Sequence, residues 1–140
     1  MTNQEKKAFL HQYGDNEREI RRLEEELDRW ESRAEKVTAS YSLAPAHGSD
    51  DDKVQVAVDN ITEVKAMLYD RLTDATELRR IIQAAIDAVG DGRLRNLLAY
   101  RYIDGMTFEQ IAVEMEVTYV HACRLHGNAL NLLDVIECYT

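Results

Sequence analysis

The stretch TFEQIAVEMEVTYVHACRLHGNALNLL, Thr107 to Leu133, decides the reading of this chain because it holds two short helices, each with its own start signal. Thr107 is placed to accept a hydrogen bond from a free backbone N–H while Gln110 reaches back to the N-cap amide, the pattern of a capping box. Phe108, Ile111, Ala112 and Met115 then share one face at helical spacing. After a break at Glu116 and Val117, Thr118 supplies a second cap, and Ala122, Leu125, Ala129, Leu132, Leu133 and Ile136 form an inward stripe. Two short capped helices across a tight turn predict a helix-turn-helix.

At about 100° per residue, the face of the last helix opposite that stripe carries Val120, Arg124, Gly127 and Asn131, flanked by His121, Cys123 and Asn128. These side chains suit DNA: Arg124 forks onto guanine, Val120 meets a thymine methyl, and Asn128 or Asn131 reaches a base or a phosphate. Gly127 adds to the pattern, since a helix-interior glycine costs about 1 kcal/mol against alanine unless something must approach closely.

Working outward, residues 90–140 combine short helical pieces with closely spaced apolar residues and predict a compact three-helix unit, with helices at 91–104, 107–115 and 118–136. Residues 1–89 have a different texture. Phe9, Tyr13, Asn16, Ile20, Leu23, Leu27, Trp30, Ala34, Val37 and Tyr41 recur at steps of four and three, a heptad seam that predicts a helix over residues 4–40. Glu17 before Arg21 and Glu25 before Arg29 have the favourable spacing for ion pairs on one helix face. Asn16 alone breaks the seam, either fixing register or lying at a frayed end; Trp30 is a packing anchor between Leu27 and Ala34.

A loop is expected at 41–52, where YSLAPAHGSDDD brings the only proline and three consecutive acids. A second seam follows through Ile61, Val64, Leu68, Leu72, Ala75, Leu78, Ile82, Ile86 and Val89, with Gly90 as terminator. The fold class expected is all-α, with a long antiparallel coiled-coil-like hairpin followed by the trihelical module; a seam paired between two parallel copies is the alternative.

Composition narrows the function. With 45% apolar and 31% charged residues and a single proline, the chain is neither low-complexity nor disordered. Its 17 basic and 26 acidic residues leave a net charge of −9, the wrong sign for unspecific attachment to nucleic acid. The opening MTNQEKKAF has no apolar export segment, and no run is long enough to span a bilayer, which predicts a cytoplasmic chain with no membrane partner and with Cys123 and Cys138 reduced. The sequence has no Gly-rich phosphate loop, nucleophile elbow, HExxH or Cys–His–acid set, so neither catalysis nor a cofactor is expected. His121, Cys123 and His126 are close in sequence, but the helical angle separates the first two and no CxxC accompanies them, so no metal site is expected.

The run LLAYRYIDGMTFEQIAVEMEVTYVHACRLHGNALNLL, Leu97 to Leu133, resembles region 4 of bacterial sigma factors. It resembles more closely the phage- and prophage-encoded regulators of the ArpU and RinA type, whose ends are similar to RLHGNAL at Arg124 to Leu130. The long first helix, the acidic loop and the second helix are similar to an uncharacterised phage family of that group. The resemblance implies regulation of late phage transcription by binding double-stranded DNA, with contact to RNA polymerase. It places Tyr119, Val120, His121, Cys123, Arg124 and Asn128 where sigma factors present DNA-reading residues. The departure is one of charge: this helix offers only Arg124, and residues 90–140 carry four basic against seven acidic side chains, a net of −3.

The DNA-binding set expected is therefore Thr118, Tyr119, Val120, His121, Cys123, Arg124, Gly127, Asn128 and Asn131, with Arg93 and Arg95 as phosphate contacts, in a homodimer or beside RNA polymerase. The alternative is a helical interaction or assembly protein, including a small terminase-like packaging component, with no autonomous DNA binding.

Overall fold

A computed structural model describes the backbone of residues 1–43 and 48–135, and side chains outside 40–52 within them. Every regular element among the described residues is helical. Helix α1 spans Asn3–Leu43 and α2 spans Gly48–Asp87. Helix α3, Gly92–Leu98, runs directly into a π-helical turn at Ala99–Ile103; α4 is Phe108–Met115 and α5 is Tyr119–Leu132.

The stretch expected as a loop at 41–52 is helical at both ends, and residues 44–47 lie outside the described residues. Helix α1 continues to Leu43. Helix α2 already includes the backbone of residues 50–52.

The chain packs as two compact units, residues 18–76 in one and residues 1–17 with 77–140 in the other. In the first, Leu23, Leu27 and Leu68 are buried together, and Trp30, Val64 and Leu72 pack against them, so the seams pair within one chain. Glu19 pairs with Arg71 at 3.1 Å and Glu31 with Lys65 at 4.0 Å, partners whose numbers run in opposite directions along an antiparallel pair. Trp30 anchors this packing as expected, with the Arg33 guanidinium 4.6 Å from its ring centre.

The second unit is larger in content than residues 90–140. Its core joins Phe9, Leu10 and Tyr13 from α1 with Ile82, Ile86 and Val89, and with Leu97, Leu98, Tyr102, Ile111, Ala122, Ala129 and Leu130 from the trihelical part. Glu17 pairs with Arg79 at 3.5 Å, across to α2 and not along the helix to Arg21. Gln83 donates to the Tyr13 hydroxyl at 3.2 Å. Asn16 is 6% exposed, so it belongs to the interior and not to a frayed end.

The beginning of α1 is held at the end of α5. Thr2 and Glu5 form a reciprocal cap, with Glu5 N–H donating to Thr2 Oγ1 at 3.2 Å and Thr2 N–H to Glu5 Oε2 at 2.8 Å. Lys6 Nζ then donates to the Leu130 carbonyl at 2.8 Å. Helix α5 has no basic residue in its own last turn, so Lys6 supplies the cation that its free carbonyls and dipole favour.

Candidate functional site

The turn between α4 and α5 is built from local signals and one conformational surprise. Thr107 and Gln110 form the expected capping box, Gln110 N–H donating to Thr107 Oγ1 at 3.2 Å and Thr107 N–H to Gln110 Oε1 at 2.9 Å. Thr118 caps α5 by accepting from His121 N–H at 3.1 Å. Between them Glu116 adopts a left-handed conformation, φ 57°, where glycine is the usual occupant. Val117 N–H returns to the Ala112 carbonyl at 2.9 Å, closing the end of α4 so that α5 starts immediately.

Helix α5 then sorts its residues as the angular argument predicts, with two corrections. Ala122, Leu125, His126, Ala129 and Leu130 are buried, while Tyr119, Val120, Arg124, Asn128 and Asn131 are exposed and His121, Cys123 and Gly127 are half-buried. Leu132, expected inside, is 54% exposed. The helix stops there instead of running to 136, and Leu133 turns into extended backbone, φ −68° and ψ 127°, with its side chain buried. Ile136 and Cys138 lie outside the described residues.

The exposed face brings Tyr119, Val120, Arg124, Gly127, Asn128 and Asn131 onto one side of α5, and Val120 is 65% exposed. A Cβ built on Gly127 meets nothing within 4 Å, so no packing inside this chain calls for glycine there. Asn131 Oδ1 accepts from Asn3 Nδ2 at 3.0 Å, which ties the end of the face to the start of α1. The phenol of Tyr119 is held above its ordinary range, chiefly by its hydrogen-bonding contact with Cys123.

The two arginines before the motif differ. Arg93 is exposed in the first turn of α3, which Asp91 caps by accepting from Arg93 N–H at 3.0 Å and Leu94 N–H at 3.3 Å. Arg95 is half-buried and its Nη1 donates to the Val89 carbonyl at 2.9 Å, joining the end of α2 to α3.

Beside the exposed face, on the flank marked by Cys123, lies a cluster that periodicity did not reveal. The π turn is the device that assembles it: Asp104 N–H reaches the Ala99 carbonyl at 3.0 Å, five residues back, which adds a residue to the turn and re-aims Arg101 and Tyr102. Tyr102 Oη and His126 Nε2 share a buried hydrogen bond of 2.7 Å, the ring tautomer deciding which donates. Phe108 meets His126 edge-on at 5.0 Å between centroids, and His11 from α1 meets Tyr102 edge-on at 5.1 Å. The Arg101 guanidinium covers Phe108 at 4.5 Å and its Nη1 donates to the Met106 carbonyl at 3.0 Å. Burial first, then the charges of Lys7, Arg101 and His11, push the His126 imidazole down to about 4. Burial likewise pushes Tyr102 up to about 12, with Arg101 acting in the opposite direction.

His126 was visible in the sequence only as a neighbour of Cys123. Its role depends on Tyr102 and on Lys7 and His11, more than a hundred positions away, which no local spacing could supply. Among the described residues no group of three or more His, Cys, Asp or Glu is arranged to hold a metal ion, and no helix is long and apolar enough to cross a membrane. Comparison with protein-family models, curated proteins and solved structures finds no match to this chain.

Proposed function

We propose that this protein is a DNA-binding transcriptional regulator that lays α5 in a major groove, in the manner of the phage and prophage late regulators that Leu97 to Leu133 resembles. The observation that carries the reading is the exposed face of α5. A capped helix-turn-helix projects Tyr119, Val120, Arg124, Asn128 and Asn131, and the glycine at their centre has no reason inside the chain. Arg124 is the base-reading cation, Val120 an apolar contact for a thymine methyl, and Thr118 and Asn128 are polar contacts to the backbone. Because the chain carries a charge of −9, affinity depends on pairing two modules in a homodimer or on RNA polymerase holding the protein at a promoter.

The test is fluorescence anisotropy with labelled duplex DNA from a phage late-promoter region at low and moderate salt. Binding that weakens at least tenfold with Arg124→Ala supports the reading, and binding indifferent to that substitution refutes the assigned face.

The same net charge favours a second reading, a helical interaction or assembly protein. Residues 18–76 support it with Val56, Met67 and Tyr69 exposed on α2. An oligomer of stated size with no DNA affinity at low salt would favour it.

A further inference from the structure

The cluster around Tyr102 and His126 encloses a partly open cavity of about 270 Å³. Lys7, His11 and Arg101 line it together with the rings of Tyr102, Phe108 and His126, and no carboxylate is among its lining residues. In a chain with 26 acidic and 17 basic residues, a pocket edged by three basic side chains and no acid is a departure from the average surface. Lys7 is half-buried and takes part in no ion pair among the described residues, in contrast to its neighbour Lys6, which is spent on the Leu130 carbonyl. The guanidinium of Arg101 is fixed in place by Phe108 beneath it and the Met106 carbonyl beside it. The charges acting on His126 are those of Lys7, Arg101 and His11, all disfavouring a further proton, so the charged groups that the imidazole senses are basic.

We infer that this pocket is a phosphate-binding site, in which Lys7, His11 and Arg101 hold the anion beside the rings of Tyr102, Phe108 and His126. A phosphate suits the chemistry: its oxygens accept from an ammonium, a guanidinium and an imidazole at once. Cys123, on the same flank of α5 as the pocket, also borders it, so a phosphate held there lies next to the proposed reading face. On that reading, which this part of the inference rests on, the phosphate is one of the DNA backbone. The same pocket chemistry accepts the phosphate of a small molecule.

The experiment is a titration of the full chain with inorganic phosphate at constant ionic strength, read by NMR on the His11 and His126 ring resonances. Saturable shifts of both rings are expected, with a rise in the pH at which His126 titrates. Both effects should vanish in Lys7→Gln and persist in Lys65→Gln, which removes a lysine from the other unit. Shifts that never saturate, or that are equal in Lys7→Gln, overturn the site. A second arm adds duplex DNA. If DNA binds, Lys7→Gln should lower the slope of log affinity against log salt by about 0.9, the release of counterion from one phosphate. Saturable phosphate binding with no DNA affinity leaves the pocket as a small-molecule site and removes the DNA reading. DNA affinity lost with Arg124→Ala, but with rings unmoved by phosphate and a slope unchanged in Lys7→Gln, overturns the pocket and leaves the reading face standing.

Discussion

Acidification should destabilise this protein through one buried ring. His126 is 6% exposed, its Nε2 is 2.7 Å from the Tyr102 hydroxyl, and its imidazole is pushed from the ordinary 6.5 down to about 4. In the unfolded chain the ring takes its proton near the ordinary value; in the folded chain it resists until about 4. Between those two values the unfolded state holds a proton that the folded state lacks, so stability rises with pH across the window and is lost as pH falls through it. Each step of one pH unit is worth about 1.4 kcal/mol per proton, so moving from about pH 7 to about pH 4.5 costs about 2–3 kcal/mol from this group alone. Carboxylates titrate over part of the same range, so the measurement is a comparison. Urea unfolding followed by circular dichroism, at several pH values, is run on the wild type and on His126→Gln, which keeps a polar group near Tyr102 but does not titrate. The wild type should lose about 2–3 kcal/mol more than the variant on acidification. Parallel loss in both proteins would refute the account of His126 as a buried neutral ring.

Three further outcomes follow from the same packing. Thr107→Ala removes the side chain that caps α4 at Gln110 N–H and should cost about 1 kcal/mol in urea unfolding, with loss of amide protection in the first turn of α4. Glu116→Gly relieves the left-handed backbone at φ 57° and should stabilise by up to about 1 kcal/mol; a destabilised variant would show that the Glu116 side chain matters more than its backbone. Leu10→Ala opens space beside the core that contains Ile111 and Leu130 and should cost about 2–5 kcal/mol, with hydrogen exchange rising in α4 and α5 although the substitution lies in α1.

Leu10 also marks where local sequence patterns stop being informative. The two seams, both caps and the angular sorting of α5 are local properties, written in the spacing of Leu23, Leu27 and Leu68 or in Thr107 and Thr118, and each appears in the structure. The attachment of Phe9, Leu10 and Tyr13 to the trihelical core was not readable, because a heptad position tells which face is buried and not which partner buries it. The π turn had no signal in Ala99 to Ile103, whose composition suits an ordinary helix; it is seen only in the Asp104 to Ala99 hydrogen bond. Glu116 in a left-handed conformation was hidden for the reverse reason, since the usual glycine is absent. The exposed face of α5 was the more legible part of the candidate site and the basic pocket the less, because the pocket draws Lys7 and His11 from the far end of the chain.

The central claim is that the exposed face of α5 reads duplex DNA, and Arg124 is its decisive side chain. The most direct test is anisotropy of a labelled late-promoter duplex titrated with wild type and with Arg124→Ala, both shown to be equally folded, at low and moderate salt. Salt-sensitive binding that falls at least tenfold in the variant is the predicted result. Equal affinity of the two proteins, or no binding by the wild type as a dimer or together with RNA polymerase, would contradict it.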